Sequence, residues 1–590
     1  MSDYADAAPP IAAPLPAARG RAVSRDLSSE RRHAGSRVVT GTSLLAWWGI
    51  GLGWAALTAI FWSWWFHHTV GSTPWLFWPQ TLALLYQTTA LPTFFWYYVS
   101  KMRRPVEVVA PSGMRVALIT LCVPGHESLD VIREQLDALQ RVSYPHDSWV
   151  LDEGDSPEVR ALAQERGVLY FTRKGVEYWN QPRPPFQAKT KAGNVNAWLD
   201  YVADEDYDIF VQFDIDHQPR PDYLDRVLGY FGSPEVAWVQ APSVCGNLDN
   251  WTARGLAEQD MIFQGPLQMG FYGASRTPFI VGSHTTYRTS AIREIGGFQP
   301  TRAEDHLDTV VLAAHGYRGV FVPEMIAVGA GPHDFATYLR QQFAWAHSMI
   351  QIFFQHTPRL LRRYTLRQAL QFLMCQSWYT LWSLSLAILW ATPTVALLTR
   401  RPIAGMSITE FLIYFLPVPL MSSVMWCWSR RWFQPSGLRL SWRGIVLEIA
   451  RWPVVLWALI NVVLRIKHSY MITPKGVGLG RATSRLQVYG PYIMLTLVPL
   501  IALWTFALRG GPAPLQHYYG LVLLNSLSGA VLIVVTLILE FRASHTTSTA
   551  GLAIVRARII TLGGVALMVC ILALTAGIAW HPYLTAALHR

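Results

Sequence analysis

Tyr207-Asp208-Ile209-Phe210-Val211-Gln212-Phe213-Asp214-Ile215-Asp216-His217 reads as a short, apolar-rich strand that ends in two carboxylates one residue apart. In an open α/β sheet the carboxyl edge of the strands is where ligands bind, so the strand itself delivers Asp214 and Asp216 to a binding edge. Two hard oxygen ligands suit Mg2+ or Mn2+ carrying a diphosphate, because such ions take few protein ligands and the rest from phosphate and water. Asp-x-Asp also occurs in ordinary surface turns, so its meaning depends on the chain on either side.

Residues 105–345 carry more charge than their flanks, with apolar runs of strand length. Val116 to Pro124 reads as a buried strand, Ser128 to Gln140 as an amphipathic helix and Trp149-Val150-Leu151 as the next strand. Strand, helix, strand at this spacing predicts a parallel doubly wound sheet. The loops at its carboxyl edge are chemically suggestive. Val123-Pro124-Gly125-His126-Glu127 could accept a base and ribose, and Leu151-Asp152-Glu153-Gly154 adds a carboxylate. Lys189-Thr190-Lys191-Ala192-Gly193-Asn194 sets two cations and a glycine in one turn, suited to a diphosphate.

Further on, Arg302-Ala303-Glu304-Asp305 offers a carboxylate pair as a candidate general base. Deprotonating a sugar hydroxyl needs such a group within hydrogen-bond reach, with a nearby metal stabilising the leaving group. In Gln341-Gln342-Phe343-Ala344-Trp345-Ala346-His347-Ser348, Trp345 is either an interfacial anchor or a platform for a sugar ring.

Outside this segment the chain is apolar. With 590 residues, 51% hydrophobic and 26 Trp, it exceeds one domain and is too apolar for an ordinary soluble enzyme. The five cysteines form no C-x-x-C pair, which argues against a disulfide framework and a zinc site. The net charge of +11 gathers beside apolar runs, as at Lys101 to Arg104 and Arg359 to Arg367, a pattern of membrane orientation and headgroup contact rather than of nucleic-acid binding. Residues 1–38 read as a disordered basic arm, and no cleavable signal peptide is expected. Residues 39–104 read as a two-helix transmembrane hairpin, with crossings at 44–66 and 75–98. Interfacial helices at 346–368 and a transmembrane region at 369–590 follow, with crossings near 369–397, 409–428, 487–508, 518–539 and 558–580. Glu448, Arg451 and Pro453 interrupt 443–465, which is therefore expected to be an amphipathic interfacial segment. Basic residues before the first crossing and after the second place 105–345 in the cytosol, in the inner (plasma) membrane's multi-pass frame.

Asp152, Asp214-x-Asp216, Glu304-Asp305 and Gln341-x-x-x-Trp345, in that order and flanked by membrane spans, resemble the processive family 2 glycosyltransferases: cellulose, curdlan, chitin and hyaluronan synthases. Val123 to Glu127 looks like the family's Val-Pro-x-x-Asn-Glu loop, and Lys191-Ala192-Gly193-Asn194 matches its Lys-Ala-Gly-Asn. Phe279-Ile280-Val281-Gly282-Ser283 is similar to the acceptor-side Phe-Phe-Cys-Gly-Ser of cellulose synthase. Tyr470-Met471-Ile472-Thr473-Pro474-Lys475 resembles the gating loop that closes over the nucleotide, within 468–482. The resemblance implies a cytosolic α/β GT-A domain with a doubly wound mixed sheet, inserted in an α-helical transmembrane bundle. It implies that Pro124, Glu127, Asp152, Lys191, Asp214 and Lys475 bind the nucleotide, and that Asp214 and Asp216 hold Mg2+ or Mn2+. Asp305 would be the base, while Gly282, Ser283, Glu304, Gln341 and Trp345 would serve acceptor and polymer; Tyr470, Ile472 and Thr473 would gate.

The expected activity is inverting polymerisation of a β-glucan from UDP-glucose, curdlan-like β-1,3 or cellulose-like β-1,4, with export across the bilayer. The implied partners are the UDP-sugar, the growing polysaccharide, the lipid bilayer and export partners in the envelope. Alternatives are a hyaluronan- or chitin-type synthase using UDP-N-acetylglucosamine, a non-processive transferase acting on a lipid carrier, and an inactive transferase. The chain departs from the family signature at Ala344, where Gln-x-x-Arg-Trp has an arginine that binds the donor diphosphate; Arg340, His347 and Lys475 are candidate substitutes. Ala303 stands for the Thr of Thr-Glu-Asp, and no PilZ domain is expected in this chain.

Overall fold

The computed structural model describes residues 35–67, 72–123, 125–205, 207–432, 442–466, 486–509, 513–544 and 552–579. Seven strands form the central sheet: β1 Val116–Cys122, β2 Asp147–Asp152, β3 Leu169–Phe171, β4 Ile209–Asp214, β5 Val236–Gln240, β6 His284–Arg288 and β7 Arg318–Phe321. Their order is β7-β5-β6-β4-β1-β2-β3. β1 runs parallel to β2 and β4, β2 to β3, and β7 to β5, as the strand and helix alternation predicts. The exception is β6, inserted antiparallel between β4 and β5, which makes the sheet mixed. β1 and β4 are buried along nearly their whole length, the mark of strands covered on both faces.

Register fixes the binding edge. Cys122 pairs with Asp152 and Leu121 with Asp214, so both carboxylates end their strands at the same level. Four helices follow in the chain, α1 Lys191–Tyr201, α2 Trp251–Ile262, α3 Glu304–Ala314 and α4 Phe335–Gln355; Lys191 and the Glu304-Asp305 pair open α1 and α3, while Gln341 and Trp345 lie within α4. Thr190 caps α1 by accepting the N–H of Gly193 at 3.0 Å. A Cβ on Gly193 would stand 2.1 Å from the Gln187 carbonyl, which is why the turn needs glycine there.

Beyond α4 the chain enters α5, Leu366–Thr399, started by a capping box of Thr365 and Gln368. Among the described residues six helices are long and apolar enough to cross a membrane by length and composition: Gly41–His67, Leu366–Thr399, Ile408–Trp432, Trp442–Val463, Val488–Arg509 and His517–Glu540. The expected second crossing at 75–98 is a chain of three helical pieces, Pro74–Leu85, a π-turn Tyr86–Ala90 and Leu91–Ser100. Helix Leu552–Ala579 covers residues 558–579 of the run expected at 558–580.

The segment 443–465, expected to be interfacial, forms one helix, α6, Trp442–Val463, which by length and composition is apolar enough to cross a membrane. Two of its charges are matched within the helix, Arg451 donating to Glu448 at 2.6 Å across one turn. α6 packs on α2 and α4, tying the apolar helices to the α/β domain.

Candidate active site

Lys191 organises the edge of the sheet. Its ammonium donates to Oδ1 of Asp214 at 3.0 Å and to the Gly282 carbonyl at 2.9 Å, and lies 3.1 Å from Oε1 of Glu304. Burial alone would pull the lysine pKa down, but the carboxylates of Asp214 and Glu304 outweigh it and hold the group charged. One cation thus joins β4, the Gly282 loop and the start of α3. The Phe279 to Ser283 loop also receives the Asp214 N–H at the Ser283 carbonyl, 2.9 Å away, so it abuts the Asp-x-Asp turn directly.

Asp214, Asp216 and His217 each present a ligand atom within 4.8 Å of the others. Two carboxylates and an imidazole form a donor set that fits Mg2+ or Mn2+ with open positions left for phosphate oxygens. The sequence pattern assigned only the carboxylates; His217 was adjacent and readable. Its Nε2 meets the Ser243 hydroxyl at 3.2 Å, which orients the ring.

Asp305 sits one residue into α3, where its Oδ1 accepts the N–H of His306 at 2.7 Å. Burial, and then the charge of Glu304, push its carboxyl up to about 7, with Lys191 opposing. The next residue anchors it to the membrane region. His306 stacks on Phe279 at 4.7 Å, and Gln376 of α5 donates to its Nε2 at 2.9 Å. Burial pulls His306 down to about 3, so the ring is neutral and accepts that bond.

A cavity of about 690 Å³ opens from Asp305 and runs along Phe279, Trp345, Trp378, Asp260 and Arg451. Trp345 is 38% exposed, its ring bare to this space. The buried Oε1 of Gln341 has no partner among the described residues. Gln342 is instead the engaged amide, accepting from Arg451 at 3.0 Å. That guanidinium also lies over Trp378 and Trp382, 4.7 and 5.3 Å from their centroids. Of the three substitutes weighed for the missing arginine, Arg340 is exposed and donates to Thr337 at 3.2 Å, and His347 is buried. Lys475, with the gating motif Tyr470, Ile472 and Thr473, lies outside the described residues. Among the described residues Arg451 is the arginine that lines the cavity, and burial pushes nearby Asp260 up to about 7, with Arg451 opposing and Glu448 adding.

Other expected nucleotide contacts look inward. Asp152 is fully buried and accepts the N–H groups of Gly154 and Ser156 and the hydroxyl of Tyr170, at 2.8, 2.6 and 2.9 Å. Glu127 accepts the Val123 N–H at 2.8 Å, closing its own loop, while Pro124 lies outside the described residues. Both carboxylates shape the crevice through its loops. Arg173, buried and paired with Glu153 at 2.7 Å, braces the turn that precedes Lys191 by donating to the carbonyls of Gln187 and Thr190.

A model of the glycosyl transferase family group 2 matches residues 209–581. The cellulose synthase catalytic subunit of Xanthomonas axonopodis pv. citri is 29% identical over 286 residues, 46% of this chain and 36% of that protein. The corresponding protein of Komagataeibacter sucrofermentans is 27% identical over 313 residues, 51% of this chain and 39% of that protein. The chain thus spans well under half the length of the curated relatives it matches. Among solved structures, a mannosyltransferase of Pyrobaculum calidifontis in complex with GDP-Man and Mn2+ is 18% identical, with a TM-score of 0.43, over 66% of this chain and 100% of that one. Because the family match runs from the central strand through the Asp-x-Asp edge, the Glu304-Asp305 helix and the helices beyond, the chain belongs to glycosyl transferase family group 2, as a membrane glycosyltransferase similar to cellulose synthase catalytic subunits.

Proposed function

We propose that this protein is a processive, inverting glycosyltransferase that polymerises a β-glucan from UDP-glucose and passes it across the plasma membrane, with its catalytic domain in the cytosol. The observation that carries the proposal is the cavity that leads from the Asp305 carboxylate past Trp345 and Trp378 toward the apolar helices. A transferase that releases each product needs no such continuation. Aromatic faces along it offer a sugar chain stacking contacts without holding one register.

Asp214, Asp216 and His217 would hold Mg2+ or Mn2+, which when bound offsets the charge developing on the UDP leaving group. Lys191 adds a fixed cation at the same edge. Asp305, in its carboxylate form, takes the proton from the acceptor hydroxyl as that oxygen attacks the anomeric carbon, turning an α-linked donor into a β-linked product. Its raised pKa suits a base working near neutrality. Trp345 supports the acceptor ring.

The test is incorporation from radiolabelled UDP-glucose and UDP-N-acetylglucosamine by the full chain in vesicles, followed by digestion with β-1,3- and β-1,4-specific glucanases. Glucanase-sensitive polymer from UDP-glucose that disappears in Asp305→Asn supports the proposal, and the effective glucanase names the linkage. Polymer from UDP-N-acetylglucosamine alone, or release of single-sugar adducts only, overturns it.

A further inference from the structure

His306 is neither the base nor a ligand of the Asp214 site, yet its ring lines the catalytic cavity beside Asp305. The ring is held from two sides. It lies flat on Phe279, with centroids 4.7 Å apart and planes 14° apart. From α5, Gln376 donates to its Nε2 at 2.9 Å, and Oε1 of the same amide accepts the hydroxyl of Thr357 at 2.6 Å.

Thr357 sets the direction of this chain of bonds. Its hydroxyl is fully buried and has no other acceptor among the described residues, so its only proton goes to Gln376. The amide then turns its N–H toward His306, which makes Nε2 the acceptor. Burial keeps the ring neutral, and a neutral imidazole carries a single N–H. That N–H is therefore on Nδ1, and Nδ1 has no partner among the described residues. Gln371, five residues earlier on the same helix, shows the contrast. Its amide donates to the Thr277 carbonyl at 2.7 Å and accepts from Ser275 at 2.5 Å, so both of its ends close inside the protein. The chain through Gln376 instead ends at a ring that lines the cavity. Buried donors are rarely left without an acceptor, and the acceptor for this one is whatever occupies that space.

Consecutive positions on α3 thus offer a group that takes a proton and a group that donates a hydrogen bond. A sugar presents both counterparts, a hydroxyl proton for Asp305 and oxygen lone pairs for Nδ1–H. Stacking on Trp345 leaves a sugar ring free to turn in its own plane, and one directional bond removes that freedom.

We propose that the Nδ1–H of His306 binds the acceptor sugar, donating to one of its oxygens at the Asp305 end of the cavity, and that Thr357 and Gln376 are positioning residues that hold the ring in this donating tautomer. The inference rests on the reading of the cavity as the acceptor site of a glucan synthase.

The test is calorimetric titration of the full chain in detergent micelles with cellotetraose and with laminaritetraose, in the absence of donor, beside titration with UDP and Mn2+. Three variants are compared with the wild type. His306→Phe keeps a stacking ring and removes the donor, His306→Asn carries an amide nitrogen where Nδ1 stands, and His306→Gln carries its amide at the level of Nε2. One hydrogen bond between neutral groups is worth about fivefold in affinity, so His306→Phe and His306→Gln are expected to weaken the oligosaccharide that binds the wild type by about fivefold. His306→Asn should stay within about twofold, and UDP affinity within about twofold in all three. A structural role exerted through Gln376 predicts the reverse order, with His306→Gln tolerated and His306→Asn not. That reverse order, an equal loss of UDP affinity, or wild-type oligosaccharide affinity in His306→Phe overturns the proposal. Should His306→Phe fail to fold, the other two variants decide, and binding no tighter in His306→Asn than in His306→Gln overturns it. If neither oligosaccharide binds the wild type, the glucan reading falls and this inference with it, whereas wild-type binding that the variants leave unchanged removes His306 alone.

Discussion

A Cβ placed on Gly282 would stand 2.8 Å from Oδ2 of Asp305. The glycine is the wall against which the proposed base packs, and its φ of 71° is one that a side chain resists. Gly282→Ala therefore strains the loop and displaces the carboxylate together. Misplacing a reacting group by about 1 Å costs roughly a hundredfold in rate. We expect sugar incorporation to fall by at least tenfold while UDP still stabilises the protein in a thermal-shift titration. Full activity in the alanine variant would mean that Asp305 does not act from this position.

Asp305 links pH to both rate and stability. The base must be ionised, so incorporation should rise with pH along a limb centred near 7, the value to which burial and Glu304 push it. Stability moves the opposite way. The folded protein holds this proton between the ordinary aspartate value, about 4, and 7, while the unfolded chain has released it, so the contribution of this group falls as pH rises through that window. Asp305→Asn should abolish incorporation yet raise Tm at pH 8, with the difference closing by pH 4. A Tm difference independent of pH would refute the assigned cause.

Much of this site was legible in the chain because burial and chemistry coincide there. Val116 to Cys122 and Ile209 to Asp214 are apolar runs that end where a carboxylate or a loop must face solvent, so pattern and site point to one edge. β6 was not legible: His-Thr-Thr-Tyr-Arg has no apolar run, although four of its five residues are buried, because its hydroxyls are satisfied internally, as Thr285 is by Gln240 at 2.6 Å. The partners of Arg451 were not legible for the opposite reason. A charge in an apolar run suggests an interface, and only its neighbour Glu448, three residues earlier, signals that it is neutralised. Asp152 and Glu127 show the reach of motif matching, which located their loops at the crevice but not the inward turn of their carboxylates.

Lys191 is expected to matter for folding as much as for chemistry. Its side chain is the cation common to Asp214 and to Glu304, whose side chain is only 6% exposed. Removing one partner of a buried pair costs about 3 kcal/mol, because the other charge is left uncompensated. Lys191→Met should lower Tm by several degrees and abolish incorporation. The double variant Lys191→Met/Glu304→Gln should recover most of the Tm and none of the activity. Recovery of both would make Lys191 purely structural.

The donor set of Asp214, Asp216 and His217 predicts dependence on a divalent cation. Incorporation should cease in EDTA and return on adding Mn2+ or Mg2+. Asp216→Asn should raise the Mn2+ concentration needed for half-activity by at least tenfold, and His217→Ala by a similar factor if the imidazole is a ligand, since losing even an outer partner of a metal ligand costs 10–100-fold. A change in maximal rate without a change in metal requirement would instead assign His217 to orienting Ser243.

Arg451 tests whether the cavity serves a growing chain. It reaches the space from α6, held by Glu448 and Gln342 and backed by Trp378 and Trp382, away from the Lys191 cluster. Removing it leaves the donor edge untouched but strips the cavity of its guanidinium and leaves Glu448 with the Gln259 amide but without its countercharge. Arg451→Met should therefore shorten the polymer several-fold, measured by gel filtration of the product, while UDP affinity stays within about twofold, since the two clusters share no partner. Part of any loss will be destabilisation from the exposed Glu448 charge, and Glu448→Gln/Arg451→Met separates the two effects. The double variant should regain thermal stability yet still make short product, because only the guanidinium, and not its countercharge, would meet the passing sugars. Product of wild-type length from that double variant would remove Arg451 from the polymer's path and leave the aromatic residues alone to line it.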